Sequence, residues 1–267
     1  MRPDLKLVAV DVDGTFVRSD YTYDVPRFRR ILARMEAAGC RFVVASGNQY
    51  YQLRDLFPGC AEKLAFVAEN GALVKDREEL VFAASIPRQT VDFVIDVCRE
   101  YPEVKNVLCG LHSAYCQRGT VSQAFFDLTH IYYHRLQWVD DFKAVEDQIL
   151  KFAPTVPEEK TWDYYHLFRR RLAGRVEPTT SGHGSIDLIL PGCHKASGLR
   201  RLVERWGITP EQCVAFGDGG NDIEMLRYCG HSYAMANAPA EVKQAARAVC
   251  PSNEKDGVLS TLETLFG

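Results

Sequence analysis

Leu5-Lys6-Leu7-Val8-Ala9-Val10-Asp11-Val12-Asp13-Gly14 opens with a short, nearly continuous apolar run and ends in two acids and a glycine. Such a run marks a strand buried on both faces, the condition of a parallel sheet covered by helices. A helix pattern follows. Phe28, Ile31, Leu32 and Met35 fall at i, i+3, i+4 and i+7, Asp24 stands where a cap would accept free N–H groups, and Gly39 supplies a stop. Residues 42–45 read as a second buried strand, 51–57 as a short helix and 64–68 as a third strand. This alternation predicts an α/β fold, with a doubly wound, mostly parallel, Rossmann-like sheet.

Beyond Gly71 the texture changes. Longer amphipathic segments at 91–101 and 162–172, clustered aromatics, and strand candidates at 106–109 and 148–152 predict a mixed α+β insert. From Ile186 the first pattern resumes: a strand over 186–190, a helix with Leu199, Leu202, Val203 and Trp206 on one face, and a strand over 214–216. The expected organisation is a core domain of residues 1–82 and 186–267, with an α+β cap domain of residues 83–185 inserted in it.

A chain of 267 residues suits two such cores. With 46% hydrophobic and 25% charged residues, disordered, collagen-like and coiled-coil classes drop out. A net charge of −3 leaves no electrostatic footprint for nucleic acid or anionic membrane. No stretch reaches the roughly 18–20 apolar residues of a spanning helix, and the first strand is too short and too acidic for a signal peptide. Nine cysteines, an odd number without a C-x-x-C pair, read as reduced, buried thiols rather than disulfides or a zinc site. A soluble cytoplasmic monomer is the expectation.

Chemistry gathers at strand ends. Asp11-Val12-Asp13-Gly14-Thr15 follows the first strand, where open α/β sheets face their ligand crevice. Two acids two residues apart suit nucleophilic attack by one and proton delivery by the other. A second acidic site, Gly217-Asp218-Gly219-Gly220-Asn221-Asp222, follows another short apolar strand. Its glycines let the backbone approach a ligand, and Asp218 and Asp222 offer hard oxygens of the kind that bind Mg²⁺. Four carboxylates converging in one pocket would repel one another unless a cation compensated them. Ser46-Gly47-Asn48 ends the second strand with a hydroxyl and main-chain N–H groups fit for phosphate oxygens. Lys195 opens an amphipathic helix and can neutralise the same anion. Singly, each motif also suits a plain turn, a helix cap or a surface charge; the argument lies in their set.

In their order, DVDGT, SGN, Lys195 and GDGGND resemble the haloacid dehalogenase superfamily of phosphohydrolases. Glu69-Asn70-Gly71-Ala72, Met235-Ala236-Asn237-Ala238 and Asn253-Glu254-Lys255-Asp256-Gly257-Val258 look like its Cof-type branch, which carries a large α/β cap inserted after the third strand. More narrowly, SGNQYYQL, AENGALV, GLHSAY, YHRL and IDLILPGCHKASGL look like the bacterial sugar phosphatases of that branch. The resemblance implies Asp11 as the nucleophile and Asp13 as the acid that protonates the departing sugar oxygen, then as the base that deprotonates water. It implies Mg²⁺ held by Asp11, the Asp13 carbonyl and Asp218, with Asp222 supporting. Phosphate oxygens would meet Ser46, the Gly47 and Val12 N–H groups and Lys195, with Asn221 orienting Lys195 or the phosphate.

Many family members carry Arg where this chain has Asn48, and Asn cannot clamp a second anionic group bidentately. That disfavours a strongly anionic substrate. His112, Tyr115, His134, Arg135 and His183 are candidates for hydroxyl recognition by the cap. The expected activity is Mg²⁺-dependent hydrolysis of a small phosphorylated sugar, a hexose or pentose monophosphate. The alternatives are a phosphotransferase or phosphomutase, a phosphatase of pyridoxal phosphate or flavin mononucleotide, and a non-enzymatic phospho-acceptor. Asp13 argues against the last, since a stable phospho-signal gains nothing from a neighbouring acid.

Overall fold

A computed structural model describes residues 4–182 and 184–267. The chain runs β1 (Leu7–Val10), α1 (Val25–Ala37), β2 (Arg41–Ala45), α2 (Tyr50–Leu56), β3 (Ala65–Ala68), β4 (Leu73–Asp76) and β5 (Glu79–Ala83). It continues with α3 (Arg88–Arg99), β6 (Lys105–Gly110), β7 (Ala114–Gln117), α4 (Gln123–Thr129), β8 (Leu136–Val139), β9 (Ile149–Thr155), α5 (Thr161–Arg171), β10 (Glu177–Gly182) and β11 (Ser185–Ile189). The last third holds α6 (Lys195–Trp206), β12 (Cys213–Gly217), α7 (Ile223–Tyr228), β13 (His231–Met235), α8 (Ala240–Ala245), β14 (Ala248–Cys250) and α9 (Gly257–Phe266).

These strands form two sheets. The first has the order β14-β13-β12-β1-β2-β3-β4-β5, parallel from β14 to β3 and antiparallel at β4 and β5. Alternate residues of one strand serve opposite cores. Val8 and Val10 of β1 join α1 (Phe28, Ile31, Leu32, Met35) and α9 (Leu259, Leu262), while Leu7 and Ala9 join α6 (Leu199, Leu202, Val203) and α7 (Met225, Leu226). Both faces are thus covered, which is why β1 carries no polar alternation. The predicted start of α1 holds: the Asp24 side chain accepts from the Arg27 N–H at 2.9 Å.

The second sheet has the order β10-β11-β9-β6-β7-β8, antiparallel except between β7 and β8. One of its faces packs on α3 and α5. The other carries Val107, Cys109, Ala114, Cys116 and Ala153 with Tyr133.

A strand forms over 185–189 as expected, but not in the first sheet. It pairs antiparallel with β9, Leu188 opposite Phe152, so the first sheet regains the chain only at α6. Its apolar side chains, Ile186 and Leu188, fill the core under α3 and α5. All nine cysteines are free and buried. No helix among the described residues is long and apolar enough to cross a membrane.

Candidate active site

Asp11 and Asp13 leave the C-terminal end of β1, Ser46 that of β2, and Asp218 and Asp222 follow β12. Lys195 enters from the first turn of α6, whose start is capped by His194 accepting from the Ser197 N–H. Parallel strand ends and a helix start therefore meet at one edge of the sheet, the ligand crevice of open α/β folds.

At the centre lies a buried ion cluster. Lys195 Nζ stands 2.5 Å from Asp11 Oδ1 and 2.7 Å from Asp222 Oδ1. The other oxygen of Asp222 accepts from the Asp218 and Gly219 N–H groups at 3.0 and 2.9 Å, so this fully buried carboxylate is spent on shaping the loop and aiming Lys195. Asp218 Oδ1 accepts from Thr15 Oγ1 at 2.6 Å. Gly14, at φ +71°, is required here: a Cβ on it would collide with the Asp218 carboxylate.

Burial and the neighbouring charge of Asp222 push the Asp11 carboxyl well above the usual carboxylate range, with Lys195 opposing. Burial also raises Asp13, against the Asn48 hydrogen bond, and lifts Asp218 to about 6. Burial alone would lower Lys195, yet Asp11 and Asp222 outweigh it and hold the ammonium charged. Four carboxylates thus face one cation. Asp11, Asp218 and Asp222 bring ligand oxygens within 4.8 Å of one another, a hard-oxygen set that fits a divalent metal.

The other expected residues divide. Asn48 Nδ2 donates to Asp13 Oδ2 at 2.8 Å, and the Asn48 N–H donates to Ser46 Oγ at 3.1 Å, so Asn48 ties the two motifs together. Val12 and Ser46 are buried beside them. Asn221 does not reach Lys195, whose ammonium is already shared by Asp11 and Asp222; its Nδ2 donates to Asn70 Oδ1 at 3.1 Å.

Tyr115 is not brought to the site. It packs on the face of the second sheet under α3 and α5, and its hydroxyl donates to Asp147 at 2.9 Å. His112 is exposed in the turn between β6 and β7, its N–H on Asp147 at 3.0 Å. His134 and Arg135 lie on the seam between the two sheets. His134 Nδ1 meets Asp55 at 2.6 Å, and the Arg135 guanidinium stands 3.6 Å from the Tyr51 ring centroid. Gln49 clasps the Arg135 main chain from both sides at 2.9 Å. His183 lies outside the described residues.

A second buried cluster was not foreseen. Lys151 Nζ, from β9, lies 3.0 Å from Glu69, 2.9 Å from Asp187 and 2.7 Å from the Gly47 carbonyl oxygen. Asp187 also accepts from Asn70 Nδ2 at 2.6 Å. This chain of contacts runs from the second sheet through Asn70 and Asn221 to the loop of Asp222. The signal available was Lys151 itself, a cation inside an otherwise apolar strand.

The sequence pattern of the haloacid dehalogenase-like hydrolases matches residues 8–262. A protein of Escherichia coli (strain K12), the 5-amino-6-(5-phospho-D-ribitylamino)uracil phosphatase YbjI, is 43% identical over 98% of this chain and 96% of its own. The crystal structure of SMU.1108c from Streptococcus mutans UA159 superposes with a TM-score of 0.93 at 38% identity, covering 97% of this chain and 98% of that one. The sugar phosphatase BT4131, 22% identical over 97% and 98% of the two chains, shares the fold with a TM-score of 0.78. Motif order, strand-end geometry and these likenesses agree, and the chain belongs to the haloacid dehalogenase-like hydrolases, in their Cof-type branch.

Proposed function

We propose that this phosphoric monoester hydrolase cleaves small phosphorylated sugars and sugar alcohols through a covalent phosphate on Asp11. The observation that carries the reading is the Lys195 ammonium, held between Asp11 and Asp222 with Asp13 beside them. One Asp11 oxygen attacks phosphorus as the ester P–O bond breaks, and Asp13 gives its proton to the departing alkoxide. Asp13 then takes a proton from water, the water oxygen bonds phosphorus, the bond to Asp11 breaks and inorganic phosphate leaves. Burial raises the Asp13 carboxyl, which favours the proton it needs for the first step, while Asn48 fixes the direction of its carboxyl.

Lys195, Ser46 Oγ and the N–H groups of Val12 and Gly47 would bind phosphate oxygens, with Asn221 held on Asn70. Asp11, the Asp13 carbonyl and Asp218 would hold Mg²⁺, backed by Asp222, and the ion would supply the missing positive charge at the phosphoryl group. The second sheet serves as a cap, closing the site against water.

For the substrate, a phosphorylated polyol chain suits a neutral Asn48, and the name of the relative at 43% identity points to a ribityl phosphate on a pyrimidine. The test is phosphate release over a panel of hexose, pentose, ribityl and cofactor monophosphates. Sugar and ribityl esters should lead, and EDTA should abolish release. Asp11→Asn should lose more than about 10³-fold in kcat while keeping its fold. A lead by pyridoxal phosphate would contradict the substrate, and activity in Asp11→Asn the nucleophile.

A further inference from the structure

Two tyrosines meet edge to face near Asp13. Tyr21, in the loop between β1 and α1, and Tyr132, in the turn after α4, have ring centroids 6.2 Å apart at an interplanar angle of 67°. Burial, with Tyr132 and the Asp13 charge beside it, raises the Tyr21 phenol above its usual range. Both residues are a little over a third exposed, at 38% and 37%.

Neither ring is placed by chance contacts. Tyr21 sits at φ +60°, a left-handed backbone that a bulky side chain adopts only when its surroundings impose it. The surroundings do so. Arg18 and Thr22 close the loop by a main-chain hydrogen bond of 2.9 Å, Arg18 is paired with Asp256, and Ser19 is bonded twice to Glu254. On the other side, the neighbouring Tyr133 is buried, and the Arg135 main chain is clasped by Gln49 of the first sheet. Ile131, in the same turn as Tyr132, is half exposed.

We infer that Tyr21 and Tyr132 are specificity-determining residues that offer their open faces for stacking to a flat ring carried by the leaving group. The inference rests on the proposed role of Asp13: whatever oxygen Asp13 protonates, the group attached to that oxygen emerges against the two phenols. A bare polyol would be matched by amides and charges. What stands there instead is an edge-to-face pair of tyrosines, each a little over a third exposed, whose open surfaces suit stacking on a planar ring. A phosphorylated sugar alcohol bearing a heteroaromatic ring, such as a ribityl phosphate on a pyrimidine or flavin, has that chemistry.

The experiment compares kcat/KM for 5-amino-6-(5-phospho-D-ribitylamino)uracil and for ribitol 5-phosphate, which shares the ester but lacks the ring. The wild-type enzyme should prefer the ring-bearing ester. In Tyr132→Ala the ratio of the two values should fall about tenfold, mostly through KM, as loss of one stacking partner implies. Tyr132→Phe and Tyr21→Phe, which keep the ring, should retain the preference. Tyr132→Leu repeats the test should the alanine variant fold poorly. An unchanged ratio, or no wild-type preference, overturns the stacking and leaves the phosphatase reading standing; failure to cleave either ester, with hexose phosphates still hydrolysed, overturns the stacking alone, and failure on all of them overturns both.

Discussion

Asp218 shows how one residue would couple the site to a divalent ion. Burial lifts its carboxyl to about 6, above the ordinary carboxylate value, so between about pH 4 and 6 the folded state holds a proton that the unfolded state has released. Without a cation, that contribution to stability is present at acid pH and is lost as pH rises from about 4 through about 6. A divalent ion replaces the proton. Added Mg²⁺ should therefore raise Tm little near pH 5 and markedly more near pH 7.5, by thermal denaturation at matched ionic strength. An equal rise at both pH values would contradict the charge accounting. At this scale the sequence was informative: Asp11, Asp13, Asp218, Asp222, Ser46 and Lys195 all sit at strand ends or a helix start, where the fold brings them together. Asn48 was legible as a position but not as a partner of Asp13, because its side-chain direction depends on a contact 35 residues away.

At the scale of elements, α1 was readable because its determinants are local. Phe28 is fully buried and meets Phe16, Phe42 and Phe57 with ring centroids 5.0–5.5 Å apart. Phe28→Ala should cost about 3–5 kcal/mol by urea denaturation, while Asp24→Ala, which removes only the cap, should cost about 1 kcal/mol. A cost below about 1 kcal/mol for Phe28→Ala would show that α1 is not anchored there. By contrast β11 was expected in the wrong sheet. Its apolar alternation says that Ile186 and Leu188 are covered, not which helices cover them, and its pairing with β9 is a long-range choice. The displacement of Tyr115 from the site has the same origin. A strand sends alternate residues to opposite faces, and one face of β7 belongs to the helices.

For the whole molecule, the join between the two sheets is electrostatic as well as apolar. Lys151 and Glu69 are each 1% exposed, and Lys151 is held charged because Asp187 and Glu69 outweigh the effect of its burial. Lys151→Met leaves both carboxylates uncompensated and should destabilise the protein by about 3–5 kcal/mol. Adding Glu69→Gln should recover part of that loss, and additive costs would show that the pair is not coupled. Lys151 stood out in an apolar strand, but its partners could not be read in the sequence, since Glu69, Lys151 and Asp187 lie far apart along the chain and meet only when the second sheet docks. The same holds for Tyr21 and Tyr132, whose meaning comes from their contact with each other.

The central claim is a covalent bond between Asp11 and phosphorus, and beryllium fluoride with Mg²⁺ mimics that state. A crystal structure of the protein with both should show beryllium bonded to an Asp11 carboxylate oxygen, its fluorides met by Lys195 and Ser46. Beryllium on Asp13, on Asp218 or away from the strand ends would contradict the account.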